Sequence, residues 1–205
     1  DSGWWVDPSL RKIPINASLL RRGTNEIALS GVYDEAYPGL EIVYLLGNFG
    51  TSVRGTKQVI TEEPRQLRLG SWVDQGLTFY SGTVSYCTTF EVSPADGERC
   101  YVQVPEYAGS AVRVIVNGTA AGVIVWEPQE LDITEWVTRG RNELRVEVFS
   151  HRRNSHGPLH LAEERPFAIG PGHFVTTGEQ WTDEYRLVPV GLLQGPVVVT
   201  RRARR

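Results

Sequence analysis

Along most of this chain, apolar and polar residues alternate with a period of two, and that period admits strands and little else. It runs through Val84-Ser85-Tyr86-Cys87-Thr88-Thr89-Phe90-Glu91-Val92, then Tyr101-Val102-Gln103-Val104 and Val112-Arg113-Val114-Ile115-Val116. It returns in Glu143-Leu144-Arg145-Val146-Glu147-Val148 and in Val197-Val198-Val199. β-Branched and aromatic residues fill these runs, so one face packs while the other meets water. Turn signals separate them: Ser93-Pro94-Ala95-Asp96-Gly97, Asn117-Gly118 and Gly170-Pro171-Gly172. Asn117-Gly118, between Val114-Ile115-Val116 and Gly122-Val123-Ile124-Val125, reads as a tight hairpin, because both residues tolerate positive φ. Helical periodicity is scarce. Short strands without alternating helices predict an all-β fold, a sandwich or jelly-roll.

An internal echo sets the expected boundaries. Asn16-Ala17-Ser18-Leu19-Leu20-Arg21-Arg22-Gly23-Thr24-Asn25-Glu26-Ile27-Ala28-Leu29 matches Asp132-Ile133-Thr134-Glu135-Trp136-Val137-Thr138-Arg139-Gly140-Arg141-Asn142-Glu143-Leu144-Arg145-Val146, with one extra residue before Arg139 in the second copy. Each reads as one device. Asn16 or Asp132 caps a single turn, Leu20 or Trp136 plugs it into the core, Gly23 or Gly140 ends it in the left-handed region, and a strand departs. Looser echoes flank the copies: Trp5-Val6-Asp7-Pro8 with Trp126-Glu127-Pro128, and Leu40–Gly47 with Tyr185–Gly191. The expectation is one and a half units. Residues 1–62 would be the C-terminal part of an upstream β-sandwich, and 63–205 a complete one.

Bulk properties narrow the partners. Lys+Arg number 21 against 24 Asp+Glu, a net charge of -3, which leaves no basic excess for a phosphate backbone. The tail Arg201-Arg202-Ala203-Arg204-Arg205 is the one basic cluster and reads as a solvated end. No apolar stretch approaches a membrane span. The sequence has no Met and opens on Asp1-Ser2-Gly3-Trp4, which reads as a chain released by processing or internal to a larger protein. Any secretory or periplasmic signal would then lie upstream. Cys87 and Cys100 are too few for a disulfide scaffold; a bridge between them is open, but two free buried thiols are the favoured reading.

The segments Gly70-Ser71-Trp72-Val73-Asp74-Gln75-Gly76 and Tyr80-Ser81-Gly82-Thr83-Val84-Ser85-Tyr86 resemble the opening of sugar-binding jelly-rolls in large bacterial glycoside hydrolases. Val116-Asn117-Gly118, Gly122, Trp126-Glu127-Pro128, Leu131-Asp132-Ile133-Thr134 and Gly140-Arg141-Asn142-Glu143-Leu144 continue the likeness. Asn154-Ser155-His156-Gly157-Pro158-Leu159-His160 and Tyr185–Leu192 look like the C-terminal end of rhamnosidase-like members. The resemblance covers residues 66–197 well, 1–60 more loosely, and extends to glycoside hydrolase family 2. It implies a galactose-binding-like fold and an accessory role beside a catalytic domain, or another chain, of the parent enzyme. It also admits a structural calcium, for which no acidic loop is recognisable; no other cofactor is implied.

No catalytic residue is assigned. Glycoside hydrolysis needs two carboxyl groups across the scissile bond. The acids here stand as adjacent pairs (Asp34-Glu35, Glu62-Glu63, Glu163-Glu164, Asp183-Glu184), and neighbours on a strand point to opposite faces. Sugar contact needs an aromatic platform with planar polar groups beside it. Trp126 and Glu127, just past the hairpin, are one candidate pair, although packing of Trp126 beneath the capped turn is the favoured reading. Arg152, Asn154, His156 and His160 are the others, in a stretch that holds three of the four histidines. Spacing of this kind can suit a metal, but no matching Cys or acidic cluster of known geometry lies nearby in the sequence. The favoured reading is a structured connection in which Asn154 and His160 satisfy backbone groups. Trp72, Gln75 and Tyr80 either line one end of the sandwich or seal its core, with packing preferred. Three functions remain open: an accessory module, a stand-alone lectin-like module, and a subunit lending loop residues to an active site elsewhere.

Overall fold

The computed structural model describes residues 2–36, 43–164 and 166–202. It forms two compact units, Asp1–Leu46 and Gly47–Arg205. The first holds strands β1 (Trp4–Trp5) and β2 (Asp7–Arg11), paired antiparallel, and one 3-10 turn, Ala17–Leu19. The second holds β3 (Gly50–Arg54), β4 (Lys57–Thr61), β5 (Thr83–Val92), β6 (Glu98–Gln103), β7 (Tyr107–Ala108), β8 (Ala111–Val116) and β9 (Thr119–Ile124). It continues through β10 (Glu130–Asp132), β11 (Gly140–Phe149), β12 (Gly191–Leu192) and β13 (Val197–Arg202). One short helix, α1 (Arg153–His156), follows β11.

The fold is an all-β sandwich, as the alternation predicts. Four antiparallel strands in the order β5-β11-β8-β9 make one sheet, and three in the order β10-β6-β13 make the other. Inward residues of both, among them Val102, Val112, Val114, Val116, Leu144, Val146 and Val148, form one buried core. Each such side chain contributes roughly 1.5–3 kcal/mol by leaving water. The hairpin β3-β4, which a boundary at 62/63 would assign to the first unit, is tied to the second: Thr51 N donates to Gly76 O (2.8 Å) and Thr78 Oγ1 donates to Thr51 O (3.1 Å).

Asn117 and Gly118 take φ of 50° and 81°, and the expected hairpin joins β8 to β9. Trp72 is fully buried, and Gln75 clamps the chain before it through bonds to Arg68 and Ser71. Gly191 is required as such: a Cβ there would lie 2.4 Å from Gly70 O, where Gly70 N donates to Leu192 O.

The repeated device is present in both copies. Asn16 Oδ1 accepts from Ser18 N (3.0 Å), and Asp132 Oδ1 accepts from Thr134 N (3.0 Å). Gly23 and Gly140 have φ of 91° and 94°. Asn25 Oδ1 accepts from Arg21 N (2.9 Å), while its amide donates to Arg21 O (2.7 Å) and Gly23 O (3.1 Å). Asn142 does the same with Thr138 N (2.7 Å), Thr138 O (2.7 Å) and Gly140 O (2.9 Å). The Asn of the Arg-Gly-x-Asn-Glu motif is therefore a staple that holds the corner from which the strand leaves.

Three expectations need correction. Trp136 packs against the core, but its counterpart Leu20 is exposed and plugs nothing. Both cysteines are free, yet only Cys100 is buried; Cys87 sits on the outer face of an edge strand and is exposed. The basic tail is not merely a solvated end, because β13 pairs with β6 through Arg202, and Arg201 binds Glu130 and lies over Tyr101. Residues Ala203–Arg205 lie outside the described residues, as do Leu40, Glu41 and Ile42 of the looser echo.

Candidate functional site

Strand register brings the candidate loops to one end of the four-stranded sheet. Phe149, at the end of β11, pairs with Thr83 and with Ala111, and Val112 pairs with Ile124 near the end of β9. Trp126-Glu127 and the 151–160 stretch therefore leave from the same edge, separated laterally by about two strand spacings, roughly 10 Å.

The six candidate residues divide into two kinds. Trp126 is 78% exposed, beside an exposed Glu127 whose peptide bond to Pro128 is cis. Trp126 thus does not pack beneath the capped turn, and its echo Trp5, set against Tyr44 at 5.2 Å between ring centres, is in a different situation. Arg152 is also exposed, with Nη1 donating to Ser81 Oγ at 2.8 Å.

The remaining three hold the connection together. Asn154 is buried; its amide donates to Val188 O (2.8 Å) and its oxygen accepts from Val188 N (2.9 Å). His156 Nδ1 lies 2.7 Å from Ser155 Oγ, and burial followed by the Arg152 charge lowers its pKa, favouring the neutral ring. His160 stacks on Trp181 (4.5 Å) and tilts against Tyr185 (4.4 Å), with Nδ1 3.0 Å from Thr182 O. Asn154 and His160 thus tie the start of a long segment without regular strands to its end. Replacing His160 by Ala is expected to cost about 1–2 kcal/mol of stability, from the lost ring contacts and hydrogen bond. Thermal unfolding followed by circular dichroism checks this, and the loss should be the same with or without sugar present.

Organised charge lies elsewhere, on the outer face of the four-stranded sheet. Glu147 is nearly buried there, accepting from Arg113 Nε (2.7 Å) and lying 3.5 Å from Arg145 Nε, while Arg113 also covers the Phe149 ring at 5.4 Å. Beside it, Cys87, Thr89, Ile115, Glu143 and Arg145 border an open hollow of about 580 Å³. Reading from sequence missed this cluster. Its only trace was the polar phase of the alternation, Arg113 in β8 and Arg145 and Glu147 in β11, and period two does not say which polar residues will meet across strands.

Glu130, Glu164 and Asp132 are likewise paired with arginines. Glu130 binds Arg201, which holds its pKa below the usual range, and Glu164 binds Arg186. Asp132 binds Arg99 and caps Thr134, and these bonds outweigh burial to lower its pKa. A carboxylate so held is a poor general acid, which must carry its proton near neutral pH. Among the described residues, no three His, Cys, Asp or Glu side chains gather as a metal site, and no helix is long and apolar enough to cross a membrane.

No family model matches the chain. It is 35% identical over 86 residues to a candidate β-glucuronidase of Formosa agariphila, a match spanning 39% of this chain and 7% of that protein. Similar solved structures include a rhamnosidase from Novosphingobium sp. PP1Y, 20% identical with a TM-score of 0.46, matched over 72% of this chain and 14% of that one. A Bifidobacterium dentium β-glucuronidase is 19% identical with a TM-score of 0.43, matched over 76% and 29%. The similar proteins are glycoside hydrolases, and this chain covers a small part of each.

Proposed function

We propose that this chain is a non-catalytic accessory module of a glycoside hydrolase, a galactose-binding-like jelly-roll that supports or docks on a catalytic domain. The observation that carries this reading is the 35% identity to a small part of a much larger candidate β-glucuronidase. Two features of the chain agree with it. Glu147 and Glu130 are committed to arginines, and Asn154 and His160 are committed to backbone. In the same reading, Gly47–Arg205 is the complete jelly-roll and the first unit is the trailing part of a second one.

Trp126 favours a second reading, a lectin-like module, because an exposed indole next to a carboxylate is the platform a pyranose needs. A glycan array separates the two. The accessory reading expects retention no tighter than about 0.1 mM, roughly -5.5 kcal/mol. Submicromolar binding to one glycan, abolished by Trp126→Ala without a change in melting temperature, would establish the lectin reading instead.

A further inference from the structure

Equating Gly23 with Gly140 and Asn25 with Asn142 equates Ile27 with Leu144 and Leu29 with Val146. In the second unit these residues lie on β11, which has β5 on one side and β8 on the other. There Leu144 is 2% exposed and Val146 fully buried, whereas Ile27 and Leu29 stand 57% and 58% exposed. Leu19 and Val32 of the first unit are exposed too. Among the described residues, no strand pairs with residues 23–29. A corner stapled by the same bonds thus launches a central strand in one unit and, in the other, an exposed segment that pairs with no described strand.

We propose that residues 23–29 are a strand acceptor, taking one antiparallel strand on each edge from a segment of the parent glycoside hydrolase outside these 205 residues. The source named for the strands rests on the accessory-module reading; the acceptor itself rests on the repeat, whatever flanks Asp1. The second unit defines the donors' chemistry. One resembles β5, with Val84, Tyr86 and Phe90 turned inward at alternate positions. The other resembles β8, with Val112, Val114 and Val116 inward, ending in a turn of positive φ. There Asn117 N donates to Glu143 O (3.0 Å), its side-chain oxygen accepts from Glu143 N (2.9 Å), and its amide donates to Trp136 O (2.9 Å). The backbone groups of Glu26 and Leu20 are the counterparts in the acceptor. A second copy of this chain is a poor donor, because its β5 and β8 are already engaged on its own β11 around a filled core.

Amide hydrogen exchange tests this on the 205-residue chain and on the parent polypeptide. In the chain, amides 25–29 should exchange within about 10-fold of unstructured rates at every protein concentration, while 142–148 exchange at least ~10⁴-fold more slowly. In the parent, 25–29 should slow by at least ~10³-fold, and Leu29→Lys should reverse this without moving 142–148. Amides 25–29 left open in the parent would overturn the proposal. So would protection that grows with the concentration of the 205-residue chain, which would assign the acceptor to a second copy. A parent that protects 25–29 yet hydrolyses no glycoside would sink the hydrolase reading alone.

Discussion

Trp72→Ala is expected to lower the unfolding free energy of the second unit by about 3–5 kcal/mol, the range for deleting a large buried aromatic. Trp72 is fully buried, packs edge-on to Tyr80 at 6.1 Å, and its backbone N donates to Val190 O at 2.8 Å. It therefore fills the place where the chain entering the sandwich meets the chain leaving it, and Ala would leave a cavity between two segments that cannot slide together. The indole Nε1 is buried without an acceptor. Phe should consequently restore most of the loss, since it returns the ring and removes an N–H that gains nothing from burial. Urea denaturation followed by far-UV circular dichroism distinguishes these outcomes. A loss below about 1 kcal/mol for Trp72→Ala would mean that the indole is not a core element.

The second large effect falls on the repeated corner, and it should be unequal. Asn142 is 1% exposed; its oxygen accepts from Thr138 N and from Asn117 Nδ2 (2.8 Å), and its amide donates to two carbonyls. Asn142→Ala would remove a buried side chain together with every one of these bonds. We expect a loss of about 3 kcal/mol, from several hydrogen bonds removed at ~1 kcal/mol each. Asn25 makes the matching bonds in an exposed corner, where water can replace the lost side chain. Asn25→Ala should change the main unfolding transition by less than about 0.5 kcal/mol. Equal losses at the two positions would show that the copies are buried alike, contrary to the exposures of Ile27 and Leu144.

What the sequence disclosed follows from which forces are local. Alternation in Val112-Arg113-Val114 and Leu144-Arg145-Val146 is set by the pleat, so strand identity and inward face were both legible. The Asn117-Gly118 hairpin and the Gly23 and Gly140 corners were legible because positive φ has a strong residue preference. Side-chain partners across strands were not. Glu147 is deeply sheltered at an outward position only because Arg113 and Arg145, on neighbouring positions of the sheet, close over it. The exposure of Trp126 was illegible for a similar reason: a sequence echo with Trp5 does not say what the fold brings alongside. The candidate site was legible in part, as a list of loop residues. That Asn154 reaches Val188 and His160 reaches Trp181 depends on a long return of the chain that no local pattern encodes.

Hydrolysis by the 205-residue chain itself bears most directly on an accessory role. Assayed on 4-nitrophenyl glucuronide, galactoside and rhamnoside, the purified chain is predicted to release nitrophenol at the rate of buffer alone, while the parent polypeptide turns over at least one of them. Turnover by the chain that persists through purification and disappears when a single one of its carboxylates is replaced by the amide would contradict that role.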